Sequence, residues 1–171
     1  MINLTAYLKR INVLIADPDD KIRLLVKDVL LQAGFTNVTL ANCGEVALEH
    51  IRTTDTDLLI TDWRMSPVNG IQLIDYLRKD SSSPNPYIPI IMLTGKAELK
   101  DVAHARDSGV TEFLVKPFTA KALYERLVMV IENPRSFIIS TDYKGPNRRR
   151  RTDIPPNGED RRINPPLNDE S

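Results

Sequence analysis

The chain has 171 residues, about one domain's worth, and 23 Lys plus Arg stand against 23 Asp plus Glu, so the formal net charge is zero. That balance argues against a wholly basic nucleic-acid protein and against an acidic disordered chain. A single cysteine, Cys43, excludes an internal disulfide and a metal site built on several cysteines. No signal-peptide pattern and no run near the roughly 20 apolar residues of a membrane span is present, so the expectation is a cytoplasmic protein.

Val13-Leu14-Ile15-Ala16 is an apolar run that stops at Asp17-Pro18 and reads as a buried strand. From 21 to 33 the apolar residues Ile22, Leu25, Val26, Val29 and Leu30 keep helical spacing, and Gly34 is the stop. Residues 38–41 read as a second strand and 44–52 as a short helix. Leu58-Leu59-Ile60-Thr61 is a third strand, ending at Asp62, and 71–78 is a helix after Gly70. The Ser/Pro/Asn stretch 81–86 is a loop, and 88–93 is a fourth strand with its proline at the tolerated start. A helix over 97–108 ends at Gly109, 112–115 is a fifth strand, and Thr119 caps a last helix to about 131. Strand–helix alternation with continuous apolar strands predicts an α/β fold, a (βα)5 doubly wound parallel sheet covered on both faces.

Composition changes near Asn133. Residues 1–133 carry 15 basic and 17 acidic side chains, whereas 134–171 carry 8 and 6 and hold half of the 12 prolines. The last segment has few large apolar residues, mainly Phe137, Ile138, Ile139 and Tyr143. It cannot bury enough apolar surface to offset the entropy of ordering it. Residues 1–133 therefore read as one compact domain and 134–171 as a mostly disordered Pro/Arg-rich tail. The patch at 137–143 is a candidate to dock on the domain or on a partner.

Function in an open parallel sheet sits past the C-terminal ends of the strands. Asp17 follows the first strand, Asp62 the third, Thr94 the fourth and Lys116 the fifth. Singly, each has an ordinary reading: a helix cap, a turn residue, a β-former, a solvated cation. Together they suit phosphoryl transfer. Carboxylates can hold a hard cation, a lysine and a hydroxyl can hold phosphate oxygens, and a carboxylate can become an aspartyl phosphate.

Four runs at this edge carry a resemblance: Val13-Leu14-Ile15-Ala16-Asp17; Asp62-Trp63-Arg64-Met65 with Gly70 eight residues after Asp62; Met92-Leu93-Thr94-Gly95; and Val115-Lys116-Pro117-Phe118-Thr119. In order and spacing they resemble the receiver domain of bacterial response regulators, close in pattern to stand-alone chemotaxis receivers, over roughly residues 11–131. The resemblance implies a flavodoxin-like sheet of strand order 2-1-3-4-5. It implies that Asp62 is the phosphoacceptor, Thr94 the switch hydroxyl, Lys116 the cation on the phosphoryl group, and Phe113 the aromatic that turns with Thr94. Mg²⁺ would be held by Asp17, Asp62 and the backbone carbonyl of Arg64. A histidine kinase, a phosphotransfer protein or a small acyl phosphate would donate to Asp62. An output protein would read the face built from the helix 97–108, the strand 112–115 and the helix 119–131. No enzyme acting on a separate substrate is implied.

The chain departs from that pattern after the first strand. Receivers usually carry two adjacent acids there, and here Pro18 follows Asp17. Asp19 or Asp20 would have to substitute, against their ordinary reading as helix N-terminal acids, so weakened Mg²⁺ binding is expected. Ser66-Pro67, Asn69 and the long cation Arg64 also differ from the usual pattern. These departures motivate a second reading, a degenerate receiver acting as an interaction module without phosphate. A third is a tail-driven nucleic-acid or membrane binder regulated by the receiver, using Arg148-Arg149-Arg150-Arg151 and Arg161-Arg162. Against nucleic acid, the run is short, acids surround it and no DNA-binding fold follows; a protein partner of the tail is favoured. Trp63 reads as a rim residue, His50 and His104 as ordinary helix positions, and Cys43 as packing near the second strand.

Overall fold

The computed structural model describes residues 4–95 and 99–148. Its elements are α1 (Leu4–Leu8), β1 (Asn12–Ala16), α2 (Asp20–Ala33), β2 (Asn37–Ala41), α3 (Gly44–Thr53), β3 (Leu58–Asp62), α4 (Gly70–Lys79), β4 (Ile90–Thr94), α5 (Leu99–Ser108), β5 (Glu112–Val115), α6 (Ala120–Glu132), β6 (Phe137–Ile139) and β7 (Lys144–Pro146). β1 to β5 form a parallel sheet in the order β2-β1-β3-β4-β5. This is the flavodoxin-like arrangement, and it bears out the expected fold.

Alternation along the strands explains the layers, since successive side chains point to opposite faces. Leu14, Ala16, Leu59 and Met92 pack with Ala47 and Ile51 of α3, Ile74 and Leu77 of α4 and Ala105 of α5. Val13, Ile15, Ile60, Ile91 and Leu93 face Val26 and Leu30 of α2 and Leu123 and Leu127 of α6. Both faces are covered, which is why β3 and β4 are apolar along almost their whole length and buried throughout.

Three elements, α1 and the strands β6 and β7, differ from the sequence reading. α1 is a single turn, too short to show a period; it buries Leu8, and the Lys9 carbonyl just past it accepts from Thr36 and Asn37. The larger difference lies after Asn133, where disorder was expected from 134 onward. Residues 137–146 instead form an antiparallel hairpin, β6–β7, docked on the domain. Arg135 bonds the buried Glu112 at 2.5 Å. The Phe137 ring meets Tyr87 edge-on at 4.9 Å and lies 5.2 Å beneath the Arg78 guanidinium. Arg148 sits over Tyr143 and pairs with Asp107 at 3.4 Å. Gly109 has φ 100°, and a Cβ there would come within 2.9 Å of the Lys144 carbonyl, so the hairpin approaches a spot that only glycine leaves open. Composition counts apolar residues and therefore missed charged groups of the domain that take hairpin partners. The remainder of the expected tail, 149–171 with Arg149-Arg150-Arg151 and Arg161-Arg162, lies outside the described residues, as do 97 and 98 of the helix expected over 97–108. No helix among the described residues is long and apolar enough to cross a membrane.

Candidate functional site

Parallel register brings the strand ends level. Ala16 pairs with Thr61, Asp62 with Leu93 and Thr94 with Val115. Asp17, Asp62, Thr94 and Lys116, up to 99 residues apart in sequence, thus share one edge of the sheet. Lys116 Nζ bridges two carboxylates, 2.5 Å from Asp17 Oδ2 and 3.0 Å from Asp62 Oδ1. The remaining oxygens are also held: the Asp19 N–H donates to Asp17 Oδ1 at 2.8 Å, and the Arg64 N–H donates to Asp62 Oδ2 at 3.0 Å. Thr94 is buried at the end of β4, and its carbonyl accepts from the Lys116 N–H at 2.7 Å, which ties the lysine backbone to β4. Phe113 is half-buried on β5 against the core layer beneath α3, α4 and α5.

Both carboxylates are removed from water, Asp17 at 0% and Asp62 at 7% exposure, and Lys116 is the positive charge placed between them. Burial raises the Asp62 carboxyl above its ordinary 3.8 and Asp17 adds to the rise, while Lys116 and the Arg64 N–H oppose it. Burial alone would lower Lys116, but its bonds to Asp17 and Asp62 outweigh that and hold it above its ordinary 10.5. The arrangement is a half-buried, preorganised positive charge between two buried carboxylates, ready to neutralise an anion arriving at Asp62.

The loop after β3 is held from both ends. The Trp63 N–H donates to the Leu93 carbonyl, and the Trp63 carbonyl accepts from the Gly70 N–H at 3.0 Å. Asn69 caps α4 through a reciprocal bond with Gln72, so the position where an acid is common is filled here by a helix cap. A Cβ on Gly70 would lie 2.2 Å from the Asp62 carbonyl oxygen. Gly70→Ala should therefore displace the Asp62 backbone and cost about 1–3 kcal/mol of stability, which a denaturant titration would read; an unshifted midpoint would mean the loop yields freely.

Asp19 takes its ordinary helix-cap place. Its Oδ1 accepts from the N–H groups of Lys21 and Ile22 and caps α2, while Asp20 pairs with Arg23. The implied Mg²⁺ would be held by Asp17, Asp62 and the Arg64 carbonyl, but the donor set is poor: every oxygen of the two carboxylates already accepts a hydrogen bond, and proline stands at position 18 in place of a second acid. Among the described residues no group of three or more His, Cys, Asp or Glu could hold a metal ion. The sequence reading did not single out Arg23, whose guanidinium donates to the Asp17 carbonyl and anchors the β1–α2 turn; its place on a regular helical face gives no local signal. His104, read as an ordinary helix residue, meets Trp63 edge-on at 5.6 Å.

Residues 13–128 match the model of the response regulator receiver domain. The chain is 35% identical over 124 residues to chemotaxis protein CheY-3 of Vibrio cholerae, covering 72% of this chain and 94% of that protein. Over 120 residues it is 34% identical to chemotaxis protein CheY of Pseudomonas aeruginosa, covering 70% and 95%. The solved structure of chemotaxis response regulator CheY4 of Vibrio cholerae superposes with a TM-score of 0.64 at 30% identity, over 71% of this chain and 98% of that one. With the sheet order and the strand-end residues in place, the chain belongs to the response regulator receiver family and is a CheY-like receiver of two-component signalling.

Proposed function

We propose that this protein is a cytoplasmic response regulator, phosphorylated on Asp62 and signalling by binding another protein. The observation that carries this reading is Lys116 held between Asp17 and Asp62 at the strand ends. A histidine kinase, a phosphotransfer protein or a small acyl phosphate donates. An Asp62 carboxylate oxygen attacks phosphorus, and the donor's P–N or P–O bond breaks. Its electron pair leaves with the imidazole, which takes up a proton, or with the acyl carboxylate. Lys116 neutralises the added charge, and the Thr94 hydroxyl is the donor drawn toward the new oxygens. Phe113, on the strand beside β4, reorients as Thr94 moves. The output surface is α5–β5–α6, where Val102, Val115 and Tyr124 are exposed. A partner would cover them.

Intact-mass spectrometry after incubation with acetyl phosphate tests this. Wild type should gain one phosphoryl adduct and Asp62→Asn none. Loading should fall on acidification as Asp62 protonates, with a midpoint above 3.8 because burial raises this carboxyl. A chain that accepts no phosphoryl group from acetyl phosphate or from any histidine kinase would be the phosphate-independent module that Pro18 motivates.

A further inference from the structure

We infer that Lys116, and not a divalent cation, is the resident counter-charge of this site, because position 18 withholds the carboxylate a divalent ion would need. The inference deepens the reading of Asp62 as phosphoacceptor and rests on it for its functional consequence, while its test does not.

Mg²⁺ takes six oxygens in near-octahedral geometry at about 2.0–2.1 Å and gives up its water reluctantly. A cation entering here would have to share the two carboxylates with an ammonium already 2.5 Å and 3.0 Å from them, whose charge repels it. It would gain no further acid. Pro18 offers none, Asp19 Oδ1 caps the α2 N-terminus, and Asp20 is paired with Arg23. The surroundings point the same way. Beside Asp62 opens a groove of about 610 Å³ lined by Pro18, Trp63, Arg64, Met65, Ser66 and Asn69. No carboxylate lines it, and its charged residue, Arg64, is a cation. Such a mouth disfavours a divalent cation and attracts a phosphoryl dianion. Lys116 inside and Arg64 at the rim then supply the positive charge that phosphoryl transfer needs. Loading of Asp62 by acetyl phosphate is accordingly near-insensitive to Mg²⁺.

The deciding experiment compares melting midpoints of the full chain in EDTA and in about 10 mM Mg²⁺, for wild type and for Pro18→Asp, since a ligand that binds only the folded state raises the midpoint. Pro18 is exposed, so the substitution leaves the core untouched. Pro18→Asn serves as the uncharged control. Wild type and Pro18→Asn should melt within about 1 °C with and without the ion, whereas Pro18→Asp should rise by about 3 °C or more. That difference corresponds to at least about a fivefold gain in Mg²⁺ affinity. A wild-type rise equal to that of Pro18→Asp would overturn the inference. Absence of a rise in either protein would overturn the assignment of the missing ligand to position 18. A chain that melts as expected but accepts no phosphoryl group would refute the proposed function and leave this inference standing.

Discussion

Arg78→Met is expected to melt about 6–12 °C below wild type. Arg78 is 1% exposed, among the largest side chains fully buried in the domain. Its guanidinium donates to the Gly109 carbonyl through Nε and Nη2, at 3.2 and 3.0 Å, and to the Pro86 carbonyl at 2.6 Å. Burial pushes its pKa down to about 10, partly offset by Tyr143, so it is still charged at neutral pH. Methionine keeps much of the volume but leaves two carbonyls without a donor, at about 1–3 kcal/mol each where they stay dry. It also removes the cation over Phe137. A total near 3 kcal/mol corresponds to that midpoint shift at about 2–4 °C per kcal/mol for a chain of this size. Truncation after Asn133 should act through the same groups, because it takes Arg135 from Glu112 and Phe137 from Arg78. A chain ending at Arg148 keeps all of these contacts and is the control. Equal melting of the two truncated chains would show that the hairpin adds nothing to the domain.

These same residues mark where sequence reasoning reaches and where it stops. The five sheet strands were legible because each is an apolar run ended by a turn signal, and a run such as Leu58-Leu59-Ile60 leaves little else for the backbone to do. The strand ends were legible as a site because parallel topology puts Asp17, Asp62, Thr94 and Lys116 on one edge whatever the loops between them do. The bridging contact itself was not legible. It joins residues 99 and 54 positions apart, and no local pattern says that one lysine spans two carboxylates. The competing roles of the acids after β1 were legible only as alternatives; the structure adds the turn's own bonds, with the Asp17 carboxylate tied to the Asp19 N–H and Asp19 Oδ1 accepting at the start of α2. Docking of the 137–143 patch on the domain was legible as one of two alternatives, but the ordered hairpin was not, because its segment looks poor in core-forming residues by itself. Its stabilisation comes from Arg78 and Glu112, which charge type alone places on the surface.

Lys116→Met should separate charge neutralisation from chain connectivity at the site. Without the ammonium, Asp17 and Asp62 face each other in a buried edge with two backbone N–H donors for relief. Asp62 is already raised in the wild type, and the chief influences lowering it are those of Lys116, so its carboxyl climbs further in the variant. An acid whose folded pKa exceeds its unfolded value binds more protons folded than unfolded between the two. Its contribution to stability is therefore present at low pH and lost as pH rises through the folded pKa. The variant should lie close to wild type near pH 4 and fall below it by about 2–4 kcal/mol at pH 7.5, in the range for removing one partner of a buried pair, lessened because Lys116 is 19% exposed. Thermal melts across that range read the divergence. Phosphoryl loading of Asp62 should drop about 100-fold, the order seen when one preorganised charge-stabilising group is removed. Adding Asp17→Asn to Lys116→Met removes the repelling carboxylate, and should restore stability at pH 7.5 without restoring loading. That split is the signature of a lysine whose structural task is to hold two carboxylates together and whose chemical task is to receive the phosphoryl charge. Parallel melting of wild type and Lys116→Met at every pH would show that the carboxylates need no counter-charge, and would remove the electrostatic basis for placing phosphoryl chemistry at Asp62.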